Sequence, residues 1–179
     1  MTCFTLNGKP VTSQLPASTR LSDVLRNEMG LSGTKIGCNA GDCGACSVLL
    51  DGAPICSCLT AVAQVDGAAV TSIEGLHADG AIAKLQDSFL AHGAAQCGIC
   101  TPGMMVAASA LLAENPAPNW HDVEDALGGV LCRCTGYSKI IDAVLAVGGD
   151  AKISPRPQAG QNVGSPIRHL DGQPKVDGS

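Results

Sequence analysis

Gly37-Cys38-Asn39-Ala40-Gly41-Asp42-Cys43-Gly44-Ala45-Cys46 is the stretch that decides how this 179-residue chain is read. Its cysteines are spaced C-x4-C-x2-C, with Gly37, Gly41 and Gly44 among them. Glycine adopts positive φ without a Cβ clash, so such a loop can fold tightly. Consecutive N–H groups then converge into a nest that holds an anionic group. Disulfides among cysteines this close would be strained. Nor does the spacing resemble the paired C-x2–4-C knuckles of a four-cysteine zinc site. Further on, Cys56 and Cys58 lie two residues apart, and either can return to the loop as a fourth thiolate.

The C-x4-C-x2-C spacing followed by a distant cysteine is that of plant-type ligands to a [2Fe–2S] cluster. The flanking sequence reads as a small β-rich domain. Cys3 to Leu6 is a strand, with Cys3 expected as a small buried hydrophobe. Asn7-Gly8 is a hairpin turn, and Val11 to Gln14 a return strand with Pro10 at its edge. Thr19 is expected to cap a helix over Arg20–Glu28, closed by Gly30. Ser47 to Leu50, the Asp51-Gly52 turn and Ala53 to Ile55 form a second hairpin.

A second cysteine set, Cys97, Cys100, Cys132 and Cys134, is spaced C-x2-C-x31-C-x-C within a helical zone. Helices are expected from Asp79 to His92, from Thr101-Pro102 to Asn115-Pro116, from Asn119 to Leu127 and from Tyr137 to Val147. Each cysteine pair precedes a helix start, where positive partial charge favours thiolates. Two pairs at two helix starts can converge on one metal centre. On spacing alone, zinc stays open for this set.

Composition removes other classes. Aromatics are 2 % of the chain and charged residues 15 %, so Ala, Val, Leu, Ile and Met must build the core. The net charge of −5 carries no basic footprint for nucleic acid. No apolar run reaches membrane-spanning length, and the start lacks the pattern of an export signal. A cytoplasmic location is expected, where clustered cysteines are more often ligands than disulfides. No Gly-x-Gly-x-x-Gly fingerprint suggests a nucleotide site.

Taken in order, four stretches resemble the iron–sulfur subunit of the molybdenum hydroxylases, the xanthine oxidase and aldehyde oxidoreductase family. They are the Gly37–Cys46 loop, Ser57-Cys58-Leu59-Thr60, Gln96-Cys97-Gly98-Ile99-Cys100-Thr101-Pro102-Gly103, and Cys132-Arg133-Cys134-Thr135-Gly136-Tyr137. The resemblance spans residues 1 to 149. It implies an α+β chain: a β-grasp [2Fe–2S] ferredoxin domain over 1–75, then a helical four-helix [2Fe–2S] domain over 76–149. It selects Cys58 over Cys56, so that Cys38, Cys43, Cys46 and Cys58 hold one cluster and Cys97, Cys100, Cys132 and Cys134 the other. It also implies that Gln96 and Cys134 touch a molybdopterin cofactor held mainly by a large partner subunit. Electrons would pass outward from there to a FAD subunit, a haem protein or a soluble carrier.

Residues 150–179 show no hydrophobic periodicity and carry Pro155, Pro157, Pro166 and Pro174. They read as an extended tail. Val163 to Gly178 resembles the opening of the family's large molybdenum subunit. A split or processed fusion is expected, with the tail lying along that subunit.

Overall fold

The computed structural model describes residues 1–78, 80, 82–148 and 169–179. The chain begins with a five-stranded sheet of order β2-β1-β5-β3-β4. β1 (Thr2–Leu6) and β2 (Lys9–Ser13) form the first hairpin, with Phe4 opposite Val11. β3 (Ser47–Leu50) and β4 (Ala53–Cys56) form the second, with Val48 opposite Ile55. Asn7 and Asp51 take positive φ at the two turns, each followed by a positive-φ glycine, as two-residue hairpins demand. β5 (Ala69–Thr71) runs parallel to β1 and antiparallel to β3, joining the hairpins.

Strand alternation sorts the side chains. Thr2, Phe4 and Leu6 point inward, so Cys3 is turned outward and is exposed rather than buried. Val48 enters the core of the sheet domain with Leu21, Val24, Leu25, Val62 and Val70. Leu49, one residue on, packs on the helical core instead. The sheet therefore touches helices on both faces.

The expected helix over Arg20–Glu28 is present but tighter at its start and wider at its end. α1 (Leu21–Asp23) passes into a π-helical turn, Val24–Glu28, closed by Met29 N–H donating to Val24 O at 2.9 Å. Its N-cap is Arg20 and not Thr19, because Thr19 O already accepts from Val62 N–H. Gly30 follows at φ +71°.

α2 (Ile73–Ala78) spans the expected boundary at 75/76 and has no counterpart in the sequence reading. α3 (Ala83–His92) ends on Gly93 at φ +62°; the expected cap, Asp79, lies outside the described residues. α4 (Thr101–Glu114) starts from Cys100, so Thr101 is its first residue and not its cap. Residues 101 to 108 of α4 are all buried, as suits a central helix. α5 (Trp120–Leu127) carries the expected Asn119 cap, whose Oδ1 accepts from His121 N–H and Asp122 N–H. α6 (Ser138–Gly148) begins one residue later than expected. Val123, Leu127, Ile140 and Val144 close the core around Phe89 and Met104.

Most of the expected tail lies outside the described residues. Where it is described, it is not extended: α7 (Gly172–Asp177) is a short helix lying on α2, α3 and α4 of this same chain. Burial of Val176 supplies what periodicity could not show.

The two domains meet on bare backbone. At Gly44 a Cβ would lie 2.1 Å from Gly129 O, and at Gly103 one would lie 2.5 Å from Gly44 O. Gly44 also sits at φ +64°. Gly52 is a control, with φ +87° but open space around it. Gly52→Ala is expected to cost about 1 kcal/mol from φ alone. Gly44→Ala should cost about 2 kcal/mol or more, because the backbone clash adds to φ. Equilibrium denaturation of both variants checks this, and equal losses would contradict the interlock.

Candidate metal centres

The Gly37–Cys46 loop closes on itself through its own sulfurs. Cys38 N–H donates to Cys43 Sγ at 3.3 Å, and Cys43 N–H returns to Cys38 Sγ at 3.4 Å. Ala40 N–H also donates to Cys38 Sγ, at 3.3 Å. These donors hold the Cys38 thiol down to about 7, the Ala40 N–H acting most strongly and the Cys43 N–H next. N–H groups aimed at sulfur stabilise the thiolate, the form that binds metal. Gly37 makes this possible, since a Cβ there would lie 2.8 Å from Cys43 Sγ.

The other half of the set is buried. Ser47 Oγ donates to Gly44 O and Ser57 Oγ to Cys46 O, both at 2.7 Å, which ties the loop to the returning strand. Cys46 and Cys58 are buried and hydrogen-bond each other. Burial, with Cys46 alongside, pushes the Cys58 thiol up to about 11. Cys56 is half-buried, with its Sγ 3.7 Å from Gly41 O. It too is raised, by burial first and then by the nearby Cys58 sulfur. The structure therefore brings both Cys56 and Cys58 to the loop, with Cys58 the deeper.

Cys97, Cys100, Cys132 and Cys134 converge as a second group. Cys100 is buried and pushed up to about 12 by burial, with Cys132 hydrogen-bonded to it. Burial raises Cys132 most, but hydrogen bonds from Thr135, the Cys134 backbone and Cys100 together outweigh it and the net direction is down. Thr135 N–H reaches Cys132 Sγ at 3.5 Å, and Thr135 Oγ1 lies 3.2 Å from it. Cys97 and Cys134 are exposed and hydrogen-bond each other, which raises Cys134. Gln96 is half-buried and directly precedes Cys97 in the chain.

Cys38 thus lies beside Cys43, Cys46 beside both Cys58 and Cys56, Cys97 beside Cys134 and Cys100 beside Cys132. Four thiols are the donor set of a [2Fe–2S] cluster. Among the described residues, no group of three or more His, Cys, Asp or Glu is placed to hold a single metal ion. At the second centre Thr101 Oγ1 is buried beside Cys100 without a hydrogen-bond partner, a hydroxyl free to donate to an anion; at the first, backbone N–H groups already point at sulfur. The residues present fit a sulfur-rich anionic group at each centre.

Tyr137 is a positioning residue that sequence reasoning missed. Cys132 N–H donates to its hydroxyl at 2.9 Å, and that hydroxyl donates to Val130 O at 3.3 Å. The tyrosine holds φ +70° to do this. The available signal was the single tyrosine of the chain, standing directly after Cys-Arg-Cys-Thr-Gly. The two centres also meet directly: Leu131 N–H donates to Cys43 O at 2.9 Å, and Leu131 precedes Cys132 in the chain.

Two families match, described as the "2Fe-2S iron-sulfur cluster binding domain" over residues 4–70 and the "[2Fe-2S] binding domain" over 72–145. The chain is 49 % identical over 140 residues to the nicotine 6-hydroxylase small subunit of Paenarthrobacter nicotinovorans, covering 78 % of this chain and 84 % of that one. Among solved structures, quinoline 2-oxidoreductase from Pseudomonas putida 86 is similar with TM-score 0.76 and 46 % identity, over 84 % of this chain and 94 % of that one. The aldehyde oxidoreductase of Desulfovibrio gigas is similar with TM-score 0.87 and 38 % identity. That match covers 99 % of this chain, which spans only 21 % of the aldehyde oxidoreductase chain. The fold, the two converging cysteine sets and these likenesses agree: the chain belongs to the iron–sulfur subunits and domains of the molybdenum hydroxylase family.

Proposed function

We propose that this chain is the electron-transfer subunit of a molybdenum-containing hydroxylase or dehydrogenase. Cys38, Cys43, Cys46 and Cys58 would hold one [2Fe–2S] cluster, and Cys97, Cys100, Cys132 and Cys134 the other. When bound, each cluster takes up and gives back one electron, while a molybdopterin centre in a large partner subunit supplies the substrate chemistry. The observation that carries this reading is the Leu131 N–H to Cys43 O hydrogen bond. It joins the two thiol sets by a few covalent bonds and one hydrogen bond, which suits a relay.

Exposure gives the relay two ends. Cys97, Cys134 and the exposed Ile99 form one corner with Gln96. There Gln96 and Cys134 would face the pterin of the large subunit. Cys38 is exposed at the other centre, where the exposed Leu59 lies over Gly41. Electrons would leave there to a FAD subunit, a haem protein or a soluble carrier. Among the described residues no helix is long and apolar enough to cross a membrane, and we place the complex in the cytoplasm. This chain's residues do three things in the relay. They present thiolates, they aim N–H groups and the Thr135 hydroxyl at sulfur, and they bury Cys46, Cys58 and Cys100 from water. Hydrogen bonding and burial are the levers that set a cluster's potential.

Two measurements test this. Native purification followed by metal analysis should find about four irons per chain and a molybdenum-bearing companion, since each cluster holds two irons. Four irons without a companion would favour a free two-cluster carrier, and zinc in place of iron would overturn the reading. Separately, Cys58→Ser should lose the first cluster, about two irons per chain, while Cys56→Ser keeps it. The reverse result would assign the fourth ligand to Cys56.

A further inference from the structure

The sequence Gly172-Gln173-Pro174-Lys175-Val176-Asp177 is a poor helix on its own. It has six residues, with glycine first and proline third, and isolated helices this short are unstable in water. Its helical state must come from what it packs on. Val176 is fully buried in the helical core. Gln86, itself 5 % exposed, donates from Nε2 to Val176 O at 2.9 Å, and its Oε1 meets His77 Nδ1 at 3.1 Å. A buried amide whose donor is spent on the tail would be left unpaired without it, and unpaired buried donors are costly.

Glycines clear the path on every side. At Gly172 a Cβ would lie 2.7 Å from Leu90 Cδ2, and at Gly98 one would lie 2.7 Å from Lys175 Cγ. At Gly178, with φ +90°, a Cβ would meet Ile73 Cγ2 at 2.7 Å and Gly33 Cα at 3.3 Å. Lys175 lays its aliphatic stem on Gly98, between Cys97 and Cys100, and its ammonium pairs with Asp171 at 2.6 Å. The segment therefore touches the sheet domain at Gly33, the junction helix α2, the helices α3 and α4, and the Cys97–Cys100 loop. The match to aldehyde oxidoreductase, over 99 % of this chain, includes this segment.

We propose that the surface formed by α2, α3, α4 and Gly98 is a docking groove, and that residues 169–179 are its occupant: a clasp that holds the Cys97–Cys100 loop in shape. Recognition lies in Gly172, the Lys175 stem, Val176, the Val176 carbonyl and Gly178. The proposal concerns this chain's own contacts, and it reaches cluster function only through the reading above.

The test uses the full chain as purified. Val176→Asp puts a charge into the buried pocket. Limited proteolysis should then cut within 150–179, and hydrogen exchange in residues 97–103 should rise at least roughly tenfold, with β1 and β2 unchanged. Added peptide of residues 167–179 should restore protection, and the same peptide carrying Val176→Asp should not. If Val176→Asp does not accumulate, Lys175→Ala should raise exchange in 97–103 more modestly, with β1 and β2 again unchanged. A released tail with unchanged exchange at 97–103 would overturn the proposal, and so would a tail that stays protected. Iron content of the wild-type sample tests the relay reading separately, so failure of one is distinguishable from failure of the other.

Discussion

The close approach of the Gly44 backbone to Gly103 and Gly129 governs the rest of this structure. Each domain could build its own core, and two cores are present. Neither core fixes how far apart the cysteine sets lie. That is set where the loop of the sheet domain meets the start of α4 and the turn after α5, with no side chains between them. Only backbone contact of this kind lets Leu131 N–H reach Cys43 O. A single methyl group at Gly44 or Gly103 would push the loops apart.

The electrostatics follow from the same geometry. Thiolates are costly to bury, and each set divides the cost differently. In the first set Cys38 is exposed and fed by backbone N–H groups, while Cys58 is buried and strongly raised. In the second, Thr135 lowers Cys132 against the effect of burial, while Cys100 is raised. Each set runs from exposed to buried sulfur: Cys38, Cys97 and Cys134 are exposed, Cys43 and Cys132 half-buried, and Cys46, Cys58 and Cys100 buried. The Cys43–Leu131 bond then joins the two sets next to their half-buried members, Cys43 and Cys132.

Much of this was legible because its signals are local. Asn7-Gly8 and Asp51-Gly52 announced the hairpins, Asn119 capped its helix, and the two cysteine spacings marked both centres. What was not legible depends on contacts distant in sequence. β5 is three residues long and is defined by its neighbours. Thr19 lost its capping role to a backbone bond from Val62. Cys3 was misplaced by a single step of strand alternation. α7 has no periodicity to read; Val176 gains its meaning only beside Gln86, and Lys175 only beside Gly98. The glycines at 44, 103 and 129 looked like loop and helix-end residues, and their partners could not be paired from one sequence.

The central claim is that one chain holds two iron–sulfur clusters close enough to exchange electrons. Low-temperature electron paramagnetic resonance of the reduced native protein tests it most directly. The account predicts two distinct reduced [2Fe–2S] signals in equal amount per chain, each broadened or split by the other on cooling. A single signal, or two that behave as isolated spins at every temperature, would contradict it.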